Sequence, residues 1–128
     1  MALGATLLIA IPATNAINPK PIVHEEVAQK TVLNPKIGLL ALCESSNNPK
    51  AVNLNDAGSP SYGLYQYKKG TWISYMKKYN LAPHAEDAEL MNFIYDREMQ
   101  TLLTQKILEE KNGWKHWYDC SRRVGLNT

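Results

Sequence analysis

Asn34-Pro35-Lys36-Ile37-Gly38-Leu39-Leu40-Ala41-Leu42-Cys43-Glu44 is the stretch whose reading decides the fold. Asn is a good helix cap and Pro is tolerated at the first helical position, so a helix is expected to begin at Asn34-Pro35. From Ile37 to Cys43 no side chain is polar on any face, which predicts a buried central helix. Ser45-Ser46-Asn47-Asn48-Pro49 then ends it. Glu44 falls in the last turn, and Ile37, Leu40, Ala41 and Glu44 follow the three- and four-residue steps of one helical face. Desolvation penalises the charged form of a carboxylate placed there, and so does the negative end of the helix dipole. Both effects raise the pKa of Glu44, as a general acid working near neutral pH requires. The competing reading makes Glu44 a cap for a neighbouring backbone group, or the partner of a Lys or Arg.

Downstream, Ala51-Val52-Asn53 and Tyr62-Gly63-Leu64-Tyr65-Gln66-Tyr67 are strand-like. Asn55-Asp56-Ala57-Gly58-Ser59-Pro60 between them is dense turn chemistry, so a short β-hairpin is expected. Helical patterning returns at Thr71-Trp72-Ile73-Ser74-Tyr75-Met76, ends near Asn80, and is followed by a break at Pro83. Asp87 then caps a long helical region that runs to Glu110, with Met91, Ile94, Tyr95, Met99, Leu102 and Leu103 at helical steps. Asn112-Gly113 stops it. The aromatic tail Trp114-Lys115-His116-Trp117-Tyr118-Asp119-Cys120 must fold back if Cys120 is to meet Cys43. The fold class this predicts is α+β, mainly α.

Upstream, residues 1–11 are apolar, uncharged and too short to span a bilayer, and Pro12-Ala13-Thr14-Asn15-Ala16 supplies small residues of the kind that precede signal cleavage. Residues 1–16 therefore read as a secretory signal. Its positive n-region is missing, since the first Lys is Lys20; either the start is truncated or the segment is something other than a signal. Residues 17–36 read as a linker broken by Pro19, Pro21 and Pro35, and residues 37–128 as the folded domain. The even cysteine count agrees with export: Cys43 and Cys120 are expected to form a disulfide, two free buried thiols being the alternative. No metal is expected, because His24, His84 and His116 share no ligand spacing with either cysteine. At 128 residues there is room for one domain, and no cofactor is called for. A formal charge of +2, with only the short pairs Lys68-Lys69 and Arg122-Arg123, argues against nucleic acid. Seven Tyr and three Trp against one Phe is a balance that suits a wet groove stacking on sugar rings, although the edge of a small core uses the same residues.

Cys43-Glu44-Ser45-Ser46-Asn47-Asn48-Pro49-Lys50-Ala51-Val52 resembles the Glu-Ser segment of the soluble lytic transglycosylase domain with its following Asn-Pro-x-Ala. Gly63-Leu64-Tyr65-Gln66 is similar to that family's Gly-Leu-x-Gln, and Tyr67-Lys68-Lys69-Gly70-Thr71-Trp72 to the stretch ending in Thr-Trp. The resemblance to resuscitation-promoting factors, a branch of the same lysozyme-like superfamily, is closer still. Those carry Cys-Glu-Ser, Gln plus an aromatic, Thr-Trp and a late Trp-x-x-Cys, here Trp117-Tyr118-Asp119-Cys120. Ser46-Asn47 departs from their usual Gly-Gly, and the Asp87–Tyr95 stretch is longer than their connection.

The resemblance spans residues 37 to 123. It implies a small lysozyme-like domain that cleaves the β-1,4 bond between N-acetylmuramic acid and N-acetylglucosamine, as a lytic transglycosylase or a muramidase. Glu44 would be the catalytic acid, and Ser45, Tyr65, Gln66, Tyr67 and Thr71 would line the groove. Asp56 is the nearby candidate for a second carboxylate, an Asx-turn residue being its simpler reading. The implied partners are peptidoglycan glycan strands, met outside the cytoplasm by a secreted or cell-envelope monomer with no stable membrane insertion. The rival class is a catalytically inactive glycan-binding or signalling module that keeps the groove. A third, a secreted helical effector stapled by one disulfide, leaves the ordered motifs unexplained.

Overall fold

The order of elements is helix, hairpin, then four helices, with two short 3-10 turns between them, in a computed structural model that describes residues 33–127. The expected signal segment and most of the expected linker lie outside the described residues. The helices are α1 (Ile37–Ser45), α2 (Lys69–Lys78), α3 (Asp87–Asn92), α4 (Arg97–Leu108) and α5 (Tyr118–Val124). The strands are β1 (Val52–Asp56) and β2 (Ser59–Tyr62), paired antiparallel. The fold is α+β and mainly α, as its sequence predicts. No helix of the described residues is long and apolar enough to cross a membrane.

Helix α1 begins two residues later than the Asn34-Pro35 signal predicts. Asn34 instead opens a turn: its Oδ1 accepts from Lys36 N at 2.9 Å and its carbonyl from Ile37 N at 3.0 Å. The expectation that α1 is buried on every side fails. Ile37, Leu40 and Ala41 are buried, but Leu39 is 49% and Leu42 57% exposed. An all-apolar run does not itself choose a face; the packing does, and here α4 and α5 cover one stripe. The enclosed helix is α4, which buries Met99, Gln100, Leu102, Leu103, Thr104, Gln105 and Ile107.

The hairpin is tighter than expected. Ala57 and Gly58 alone form the turn, both with positive φ (53° and 91°), the backbone handedness that matches strand twist in two-residue hairpins. Asp56 and Ser59 therefore pair as strand residues, in register with Asn53–Ser61 and Val52–Tyr62 apart from one irregularity. Gly63–Gln66, expected as strand, is a turn that brings Tyr67 back to Tyr62, each N–H donating to the other's carbonyl at 2.9 Å. Gly63 has a φ of 82° and lies against the Gln100 side chain and the Ile94 carbonyl, so a Cβ has no room there.

The long helix expected from Asp87 to Glu110 is interrupted. Glu86 caps α3, its N–H donating to Glu89 Oε1 at 3.2 Å. After the 3-10 turn Phe93–Tyr95, Asp96 starts α4 afresh, its Oδ1 accepting from Glu98 N at 2.9 Å and Met99 N at 3.3 Å. Hydrophobic spacing continues across Asp96; the backbone does not.

Candidate active site

The C-terminal end of α1 is fixed from three sides. Ser46 adopts a left-handed φ of 56°, and the N–H groups of Ser46 and Asn47 return to the carbonyls of Leu42 and Ala41. Arg97 at the start of α4 donates to Asn47 Oδ1 at 2.8 Å and to its carbonyl at 3.3 Å. Ser45 Oγ donates to Leu64 O at 2.8 Å, tying the helix to the turn after the hairpin. A disulfide joins Cys43 to Cys120 of α5, with the Cα atoms 5.8 Å apart. Bridges of this kind persist in oxidising compartments.

Glu44 rides on this fixed end and opens into a half-open cleft of about 330 Å³. Of the residues expected at the groove, Asp56, Gln66, Tyr67 and Thr71 line the same cleft. Tyr65 and Ser45 do not. Tyr65 is buried beneath, its N–H donating to Gln100 Oε1 at 2.7 Å and its carbonyl accepting from Trp117 Nε1 at 2.8 Å. Ser45 spends its hydroxyl on the Leu64 carbonyl. Both hold the scaffold of the cleft rather than its lining, because a residue beside a cleft-lining one in sequence points to another side of the helix or turn.

The floor is made of core residues. Tyr67 is buried with its hydroxyl 2.7 Å from Thr104 Oγ1, and its ring meets Trp72 and Trp117 edge-on at 5.1 and 5.5 Å. Gln66, in a left-handed conformation, donates from Nε2 to Gly63 O at 2.9 Å and Ala51 O at 3.3 Å. One wall is the hairpin. There Asp56 Oδ2 accepts from Ser61 Oγ at 2.6 Å and pairs with Lys68 Nζ at 3.6 Å. Lys68 also donates to the carbonyls of Asp56 and Ser59, clamping the turn.

Lys115, His116, Trp117, Tyr118 and Asp119 complete the lining, and none of them was expected at the groove by sequence reasoning. The signal was the disulfide itself, since whatever precedes Cys120 must arrive beside whatever follows Cys43. Tyr118 is 50% exposed, stacked on Trp114 at 5.4 Å and flanked by the Arg122 guanidinium. His116 Nε2 lies 3.0 Å from Tyr75 OH.

Glu44 itself makes no hydrogen bond or ion pair with a described residue. Burial first, then the negative charges of Asp56 and Asp119, raise its pKa from 4.5 to about 7. A carboxyl that keeps its proton near neutrality, unencumbered and facing an open cleft, can deliver that proton to a leaving oxygen. Among the described residues no group of His, Cys, Asp and Glu is arranged to hold a metal. Comparison with protein-family models, with curated proteins and with solved structures found no match.

Proposed function

We propose that this chain is a lysozyme-like enzyme that cuts the β-1,4 bond between N-acetylmuramic acid and N-acetylglucosamine in peptidoglycan, outside the cytoplasm. One observation carries the reading: a free, half-buried Glu44 with a pKa of about 7 in the lining of a cleft. The ordered motifs around Glu44 and the sugar-sized aromatic surface of Tyr118 and Trp114 support it. Glu44 donates its proton to the glycosidic oxygen as the C1–O4 bond breaks, with positive charge building on the sugar ring. Tyr67 and Thr71 line the cleft beside the acid and bound the space the sugar occupies. The disulfide keeps the helix end that bears Glu44 from drifting, which the geometry of proton transfer demands.

The test is release of soluble fragments from insoluble peptidoglycan by the purified protein, followed by mass spectrometry, beside Glu44→Gln. Release by the wild type and loss of at least about 100-fold in the variant is the expected outcome. Equal release by both proteins removes Glu44 from the chemistry. Tight binding of the glycan with no release by either makes the chain a binding module instead.

A further inference from the structure

We propose that Asp119 is the second catalytic carboxylate of this cleft, acting as the base that activates water, so that the enzyme is a hydrolase that inverts configuration. The inference rests on Glu44 being the acid and goes beyond it to name the nucleophile and the product.

Two aspartates share the cleft with Glu44, and they differ in what holds them. Asp56 is engaged: Ser61 donates to its carboxylate and Lys68 pairs with it, an arrangement that shapes the hairpin turn. Asp119 lines the cleft with no hydrogen bond or ion pair to a described residue, so both of its oxygens are open to a water molecule. It stands on α5, next to the aromatic tail residues that line the cleft together with Asp56 of the hairpin. The covalent framework limits how far it can stray. Glu44 follows Cys43 and Asp119 precedes Cys120, whose Cα atoms are 5.8 Å apart, so two further Cα steps keep the carboxylate-bearing residues within about 13 Å, Cα to Cα. The carboxyl gap of roughly 6.5–9.5 Å that an acid, a sugar and an attacking water require fits within that limit. Asp119 also acts electrostatically on Glu44, in keeping with their place in the lining of one cleft.

In the step itself the water oxygen bonds to C1 of the muramic residue from the α face while the C1–O4 bond breaks. Asp119 takes a proton from the water and Glu44 gives one to O4. The products are a new reducing end of α configuration and a free 4-hydroxyl. No oxidant or further reactant is needed.

The experiment follows a GlcNAc–MurNAc tetrasaccharide by proton NMR with wild type, Asp119→Asn, Asp119→Ala and Asp56→Asn, thermal melts confirming that each variant folds. The expected result is initial release of the α anomer by the wild type and a kcat lower by at least about 100-fold in Asp119→Asn. Azide added to Asp119→Ala should restore cleavage and yield an α-glycosyl azide, which a merely structural aspartate does not produce. A wild-type product with 1,6-anhydro-muramyl ends, or turnover in Asp119→Asn within twofold of wild type, overturns the inference while leaving Glu44 as the acid. Full activity in Glu44→Gln removes the function on which it rests, and the inference with it.

Discussion

Replacing Glu44 by Gln should stabilise the protein at alkaline pH and leave it nearly unchanged at acid pH. The carboxyl has a pKa of about 7 in the folded chain against 4.5 in an exposed one. Below pH 4.5 it is protonated in both states and contributes nothing to the balance. Between pH 4.5 and 7 the unfolded chain releases the proton and the folded chain retains it, so the wild type loses stability steadily as pH rises. Above pH 7 the loss is complete. Each pKa unit carries about 1.4 kcal/mol, which sets a ceiling of about 3.4 kcal/mol. The cleft is half open, and screening by water at its mouth reduces this to about 1.7 kcal/mol. Glutamine has nearly the same shape and no charge to desolvate. For a domain of this size the midpoint of Glu44→Gln at pH 8 should therefore exceed that of wild type by about 7–14 °C. At pH 4 the two should melt together. Circular dichroism melts at several pH values measure the difference directly. A variant that is equally or less stable than wild type at pH 8, with the same gap at pH 4, would refute the claim that burial holds the proton on Glu44.

Neutralising the hairpin carboxylate in Asp56→Asn removes a charge that raises Glu44, so the Glu44 titration followed by carbon NMR should move to lower pH, and the alkaline limb of the activity profile with it. An unmoved titration contradicts the shared-cleft electrostatics. Reducing the Cys43–Cys120 bridge, which spans 77 residues, should cost about 4.5 kcal/mol in the chain-entropy model, read as a fall in the urea midpoint with and without reductant. Gln100→Leu strands the Tyr65 N–H and the carbonyls of Tyr62 and Ile94, all of which Gln100 satisfies from a fully buried position. It should destabilise by about 2–4 kcal/mol, and a urea midpoint within error of wild type would contradict that accounting.

The same buried amide explains what the sequence did and did not disclose. Three- and four-residue spacing placed Glu44 on the stripe with Ile37, Leu40 and Ala41, and the structure keeps those three apolar residues buried. Periodicity works there because one face of α1 is packed. It fails on α4, whose most enclosed positions include Gln100, Thr104 and Gln105. A polar side chain reads as outward-facing unless its partners are known, and these lie far along the chain. They are the Tyr65 N–H, the Tyr67 hydroxyl and the Asn34 N–H. The central helix was thus hidden by the residues that make it central. The hairpin boundaries were misplaced for a related reason, since Ala57 carries no turn signature and takes its left-handed conformation from the strands it joins. Asp119 was invisible because nothing local marks it. Its position follows from a crosslink 77 residues long.

Tyr67 and Trp117 belong at once to the packed interior and to the lining of the cleft. Any change that reshapes this part of the groove must therefore pass through side chains whose loss costs stability. Adaptation to a new ligand is left to the rims, the hairpin turn and the exposed Lys115, His116 and Tyr118, where charge and ring size can vary without disturbing the interior. Variation among descendants of this chain should accumulate at those borders, above a base that stays the same.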